Sequence, residues 1–182
     1  MHDSILIIED EKIMRVSLAD MLRAEGYTVL TAEDGASGIL TLGQGDFSLV
    51  VTDVRLPDVT GIGVLKKALQ DNPSLPVIVM TAYGTIDDAV EAMRLGAFDY
   101  ITKPFAQDEL LIVVRRALAS RRLAEENIRL KKELSEALNF PSIVGESRAM
   151  WQVLTLLDKV SRTDSTVLLL GESGTGEELI AS

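Results

Sequence analysis

Short apolar runs alternate with stretches of helical periodicity along the first two thirds of the chain. Residues 4–8 (SILII), 28–31, 49–52 (LVVT), 76–80 (PVIVM) and 97–101 (AFDYI) form five strand-like runs. Between them, residues 12–25, 35–42, 61–69 and 85–95 carry apolar positions at helical spacing, and residues from 106 onward continue as a helix. In the first helix, Ile13, Val16, Leu18, Met21 and Leu22 are expected largely on one face. Asn72-Pro73 stops the third helix and Gly96 caps the fourth. Strands that alternate with helices imply βαβ units and a parallel sheet. The runs are apolar throughout, the pattern of strands covered on both faces. The fold class is α/β, a doubly wound five-stranded parallel sheet. Right-handed crossovers then gather functional groups at the carboxyl ends of the strands, near a topological switch point.

The last helix outruns a compact domain. Residues 106–138 contain neither Gly nor Pro. Within them Leu123, Asn127, Leu130, Leu134 and Ala137 make a heptad seam, flanked by Arg122, Glu125, Glu126, Arg129, Lys131, Lys132 and Glu133. The seam predicts a dimerising coiled coil with Asn127 as a register device; the plain alternative is a solvated helix lying on its own domain. Asn139-Phe140-Pro141 breaks it. Beyond lie a helical pattern over 150–160, a strand over 166–170 and a Gly-rich turn. The organisation is thus a domain over 1–120, a helical linker over 121–139 and a third segment over 140–182. A piece of about 40 residues buries too little to hold a core of its own.

Composition narrows the function. Hydrophobic residues make up 47% of the 182, which suits a globular core. The formal net charge of −10 repels nucleic-acid phosphates. Residues 1–120 hold 10 Lys and Arg against 18 Asp and Glu. There is no cysteine, hence no disulfide framework and no thiolate metal site. No apolar stretch approaches the roughly 20 residues that span a bilayer, so a cytoplasmic protein with no membrane partner is expected.

The strand ends carry the candidate chemistry. Glu9 and Asp10 follow the first strand, Asp53 ends the third, Thr81 ends the fourth, and Lys103-Pro104 follows the fifth. Three carboxylates gathered together must raise their pKa values or recruit a cation. Carboxylate oxygens suit Mg²⁺. Asp53 could then attack phosphorus, as carboxylates do in aspartyl-phosphate chemistry. Lys103, the Thr81 hydroxyl and the backbone N–H of Ala82 could stabilise the transferring oxygens. Any one of these residues alone is an ordinary turn or strand residue; their joint order on successive strand ends is what points to a site.

Glu9-Asp10, Asp53-Val54-Arg55-Leu56-Pro57, Thr81-Ala82 and Lys103-Pro104 resemble bacterial response-regulator receiver domains, over residues 3–120. The resemblance implies the flavodoxin-like receiver fold and Asp53 as phosphoacceptor. It places the metal among Glu9, Asp10, Asp53 and the backbone carbonyl of Arg55. It also implies Lys103 as the cation on the phosphate, a cis Lys103–Pro104 bond, Gly61 as a family match, and Thr81 and Tyr100 as switch residues. A flavodoxin-like cofactor binder would need a Ser/Thr/Gly-rich loop after the first strand, where Glu9-Asp10-Glu11 stands instead.

The turn Gly171-Glu172-Ser173-Gly174-Thr175-Gly176-Glu177-Glu178 follows an apolar strand and has the frame of a phosphate-binding loop. Gly171, Gly174, Thr175 and Gly176 would form its cradle. The next residue should be Lys and is Glu177, an anion that opposes nucleotide binding. ATP is therefore a doubtful cofactor. With Ile143-Val144-Gly145-Glu146-Ser147, this stretch is similar to the start of the AAA+ domain of NtrC-like, sigma-54-dependent activators. The resemblance implies a two-component response regulator, phosphorylated by a sensor histidine kinase, and the heptad seam would make it dimeric through its linker. Sigma-54 RNA polymerase and DNA would be met only through parts outside these 182 residues. Two other functions compete: a degenerate P-loop ATPase fragment, and an interaction protein that forms non-productive dimers. Magnesium-dependent phosphorylation and nucleotide titration separate them.

Overall fold

In a computed structural model, the described residues are 3–81, 86–137, 147–160 and 168. Ala82, most of the strand expected over 166–170 and the Gly-rich turn with Gly171, Gly174, Thr175, Gly176 and Glu177 lie outside them. The chain divides into two compact units, residues 1–124 and 125–182.

The first unit is built from five strands and the helices that join them. In chain order these are β1 (Ser4–Ile8), α1 (Lys12–Ala24), β2 (Thr28–Ala32), α2 (Gly35–Leu42), β3 (Leu49–Asp53), α3 (Gly61–Asp71), β4 (Val77–Thr81), α4 (Ile86–Arg94), β5 (Asp99–Thr102) and the part of α5 (Gln107–Ala137) before residue 125. All pairings are parallel, in the order β2-β1-β3-β4-β5. The order reverses between β1 and β3, so a crevice opens where Ile8 and Asp53 end their strands.

The core has two halves, one on each face of the sheet. Ile5, Ile7, Val51, Ile78 and Met80 pack with Leu18 and Leu22 of α1 and Leu110, Val114 and Leu118 of α5. Leu6, Ile8, Val50, Val77 and Val79 pack with Val64, Leu65 and Ala68 of α3 and Ala92 of α4. Nearly all of β1 and every residue of β3 and β4 is buried. The edge strands differ from the sequence expectation of cover on both faces: Leu30 on β2 and Tyr100 on β5 are exposed. An edge strand lacks a neighbour, and the flanking helices shield its faces only in part.

A second correction concerns α1. Ile13 is 78% exposed and Val16 49%, whereas Leu18, Ala19 and Leu22 are buried with Met14 and Met21 against them. At about 100° per residue, positions 14, 18, 21 and 22 share an arc, and positions 13 and 16 fall on the opposite side. The boundaries of β5 also shift, to Asp99–Thr102: after Gly96 (φ +98°) the Ala97 N–H turns back to the Ala92 carbonyl, and the Phe98 N–H makes the first bond to β4, at the Val77 carbonyl.

Two turns near the crevice are tightly specified. Asp34 caps α2, accepting from the Ser37 N–H at 2.7 Å, in a capping box with the Ser37 side chain. Asp58, from the loop after β3, accepts from the N–H groups of Gly35 and Ala36, each at 2.8 Å. Desolvation would raise the Asp58 carboxyl, but the N–H donors of Ala36, Val59 and Gly35 outweigh it and hold the group below its ordinary range. Gly61 opens α3 so close to the end of β3 that a Cβ there would sit 2.0 Å from the Asp53 carbonyl oxygen. Side-chain volume is excluded at that position by backbone.

α5 begins with Asp108 and Glu109 in its first turn and runs unbroken to Ala137. Arg115 pairs with Glu25, Arg122 with Asp3, and Arg121 donates to the Phe47 carbonyl. These bonds hold the helix against the first unit up to its exit. Of the expected seam, Leu123 is 68% and Leu130 52% exposed, and Asn127 is exposed with them. Ile128, which the seam omits, is exposed as well. The side chains of Leu134 and Ala137 lie outside the described residues. In the second unit Arg129 pairs with Glu126 and Glu133 along the helix surface. A helix α6 (Arg148–Val160) exposes Val153 and Leu156.

Candidate functional site

β1 and β3 deliver the carboxylates. β1 ends at Ile8, and the chain turns through Glu9, Asp10 and Glu11 before α1 starts. β3 ends on Asp53 itself. Glu9, Asp10 and Asp53 each offer a carboxylate oxygen, and these atoms lie within 4.8 Å of one another. Glu9 and Asp53 are buried at 1% and 5% exposure, while Asp10 faces solvent.

Lys103 supplies the opposing charge. It follows β5 and precedes Pro104 across a cis peptide bond, the isomer that the receiver-domain resemblance implies. Its N–H donates to the Thr81 carbonyl at 2.7 Å, which ties it to the end of β4. Its ammonium donates to Glu9 Oε2 at 2.6 Å and to Asp53 Oδ2. Burial works against the ammonium, but the two carboxylates overcome it and raise Lys103 above its ordinary 10.5. For Glu9, burial comes first and raises the carboxyl above 4.5; Lys103 pulls it down and Asp53 pushes it up.

The remaining partners are backbone. Asp53 Oδ1 accepts from the Arg55 N–H at 3.0 Å, so the loop after β3 folds back on the carboxylate. The Val54 N–H donates to the Met80 carbonyl and the Gly61 N–H to the Val54 carbonyl. Thr81 is buried at 2% exposure and pairs with Thr102 across β4 and β5. Tyr100 lies two residues up β5 and is 42% exposed. The structure thus gathers Glu9, Asp10, Asp53 and Lys103 into one cluster, joins Arg55 and Thr81 to it through backbone hydrogen bonds to Asp53 and Lys103, and leaves Tyr100 half-exposed on β5. The donor set fits a small, hard divalent cation: all oxygen, net negative, on a rigid sheet edge.

Sequence reasoning missed two residues around this cluster. Arg15 of α1 donates to the carbonyls of both Glu9 and Asp10. Asp58 fixes the loop after β3 onto α2. Neither has a motif of its own; only a helical register from Lys12 could have turned Arg15 toward the loop.

Comparisons with known proteins agree with this geometry. Residues 143–182 match the Sigma-54 interaction domain family. The chain is 40% identical over 177 residues to the transcriptional regulatory protein ZraR of Klebsiella oxytoca, covering 97% of this chain and 39% of that protein. It is 36% identical over 177 residues to the DNA-binding transcriptional regulator NtrC of Escherichia coli, covering 96% of this chain and 36% of that one. The chain therefore spans less than half the length of these relatives. Among solved structures, NtrX from Brucella abortus in complex with ADP aligns with a TM-score of 0.70 and 35% identity, over 100% of this chain and 40% of that one. A receiver domain from Clostridium thermocellum aligns with a TM-score of 0.65 and 30% identity, over 67% and 98%. Among the described residues no helix is long and apolar enough to cross a membrane. Residues 5–115 match the response regulator receiver domain, and the chain belongs to that family, as a two-component response regulator.

Proposed function

We propose that Asp53 accepts a phosphoryl group from the phosphohistidine of a sensor kinase in a Mg²⁺-dependent transfer. The observation that carries this is the meeting of Glu9, Asp10, Asp53 and Lys103 at the sheet's switch point. One Asp53 carboxylate oxygen forms the new P–O bond as the P–N bond to the donor imidazole breaks, and the imidazole leaves with that electron pair. Glu9, Asp10, Asp53 and the Arg55 carbonyl would hold the cation. When bound, Mg²⁺ supplies positive charge to the phosphoryl oxygens. Lys103 moves its donors from Asp53 to the phosphoryl oxygens, and the Thr81 hydroxyl and Ala82 N–H complete the cradle. Tyr100 and Thr81 then report the change to the surface around α4, β5 and α5.

The transcription regulators at 36–40% identity, together with the match of residues 143–182 to the Sigma-54 interaction domain, support a transcription regulator of the sigma-54-dependent class. In such a protein the receiver governs dimer or ring assembly of an ATPase effector that meets sigma-54 RNA polymerase and DNA. The exposed Leu123, Asn127 and Leu130 stripe supports dimerisation through the linker. ATP hydrolysis by these 182 residues is not part of the proposal, because Glu177 stands at the phosphate-loop Lys position.

Borohydride reduces an aspartyl phosphate to homoserine. After treatment with acetyl phosphate and Mg²⁺, peptide mapping of the reduced protein should find homoserine at position 53. Homoserine at another carboxylate, or none, would refute the assignment.

A further inference from the structure

Glu9 is held on three sides. Its N–H donates to the Ala32 carbonyl at 3.1 Å, its carboxylate takes the Lys103 ammonium, and its carbonyl accepts from Arg15. Arg15 Nη1 lies 2.6 Å from the Glu9 oxygen and 3.0 Å from the Asp10 oxygen. A single guanidinium nitrogen therefore fixes two successive peptide planes. Those planes set the directions in which the Glu9 and Asp10 side chains leave the backbone. The guanidinium is itself held: the Arg15 side chain is 13% exposed, and Nη2 meets Glu33 Oε2 at 3.4 Å. Glu33 is 73% exposed, so that pair orients Arg15 without binding it strongly.

Arg15 carries a positive charge toward a cluster that would hold a cation. On charge alone it should weaken cation binding, so its placement calls for another benefit. A planar fork with fixed donors constrains a loop in a way that an ammonium cannot. We propose that Arg15 is a positioning residue for divalent-cation binding, which sets the carbonyls of Glu9 and Asp10 so that both carboxylates converge with Asp53. This rests on the Mg²⁺ site proposed above. It adds a residue that touches neither cation nor phosphoryl group.

Charge and positioning predict opposite results. Mg²⁺ titration by calorimetry on the full 182-residue chain compares Arg15→Lys, Arg15→Ala and the control Arg23→Ala. Arg23 lies on the same helix and donates to the Val29 carbonyl, away from the loop. Partners of this kind are worth about 10- to 100-fold in metal affinity, so Arg15→Lys should bind Mg²⁺ about tenfold more weakly. Arg15→Ala should also weaken, and Arg23→Ala should bind as the unchanged chain does. At saturating Mg²⁺, Arg15→Lys should reach nearly the full phosphorylation rate. Amide exchange should quicken at residues 9–12 and not across β3. The proposal is overturned if folded Arg15→Lys binds Mg²⁺ within twofold of the unchanged chain, or if Arg15→Ala binds more tightly. No Mg²⁺ binding by the unchanged chain would overturn the site itself and the proposal with it.

Discussion

Lys103→Met removes the ammonium that Glu9 and Asp53 share while keeping an unbranched side chain of similar length. Two buried carboxylates, at 1% and 5% exposure, are left facing each other. Each loses a charge-assisted hydrogen bond, about 1.5–3 kcal/mol apiece. Breaking a buried ion pair by removing one partner costs about 3–5 kcal/mol. The expected loss lies near the lower bound, about 3 kcal/mol at about pH 8. For a domain of this size that is a fall of about 10 °C in Tm.

The pH dependence follows from the direction of each shift. Burial already raises Glu9 above 4.5, and Lys103 is the main group pulling it back. A carboxyl raised in the folded state stabilises the fold below its ordinary value and loses that contribution as pH rises through the raised value. Without Lys103 the raised value climbs further. The gap between Lys103→Met and the unchanged chain should therefore widen from about pH 5 to about pH 8. It should narrow again only above 10.5, where the raised ammonium of the unchanged chain begins to lose its proton and its stabilising charge. Thermal unfolding followed by circular dichroism at the two pH values measures the gap. Mg²⁺ should recover more stability in the variant than in the unchanged chain, because a second cation then neutralises the same acids. An equal loss at both pH values, or no loss at the higher one, would refute the shared-ammonium account.

Gly61→Ala should destabilise the first unit by about 2–3 kcal/mol in urea unfolding, because the added Cβ meets the Asp53 carbonyl; a loss under about 0.5 kcal/mol would show that the turn yields freely. Thr60→Ala should cost about 1 kcal/mol, since Thr60 caps α3 through the Gly63 N–H at 3.2 Å. The double change Leu123→Glu, Leu130→Glu should leave the Tm of the first unit unchanged and make the chain monomeric by sedimentation equilibrium. A persistent dimer would place the interface away from the stripe.

The parts of the fold most legible in the sequence were those with the least freedom. The runs at β1, β3 and β4 are so apolar that only a central parallel strand accommodates them, and their ends carry Glu9, Asp53 and Thr81 by simple adjacency. The cluster followed from that order, since a parallel sheet brings all carboxyl ends to one edge. The α1 face was misread because Ile13 and Val16 are apolar, and composition does not say which side of a helix meets the sheet. Edge exposure at Leu30 and Tyr100 depends on strand order, which periodicity does not encode. Arg15 and Asp58 were invisible for a related reason. Each acts on backbone carbonyl or N–H groups, which every residue carries, so no residue type marks the partner.

In the function proposed above, Asp53 takes the phosphoryl group with the help of a divalent cation. Intact mass after incubation with acetyl phosphate and Mg²⁺ tests it most directly, with Asp53→Asn and a chelator beside the unchanged chain. A single added phosphoryl group, lost in Asp53→Asn and in chelator, is the predicted result. No adduct in a folded chain, or an adduct that survives Asp53→Asn, would contradict it.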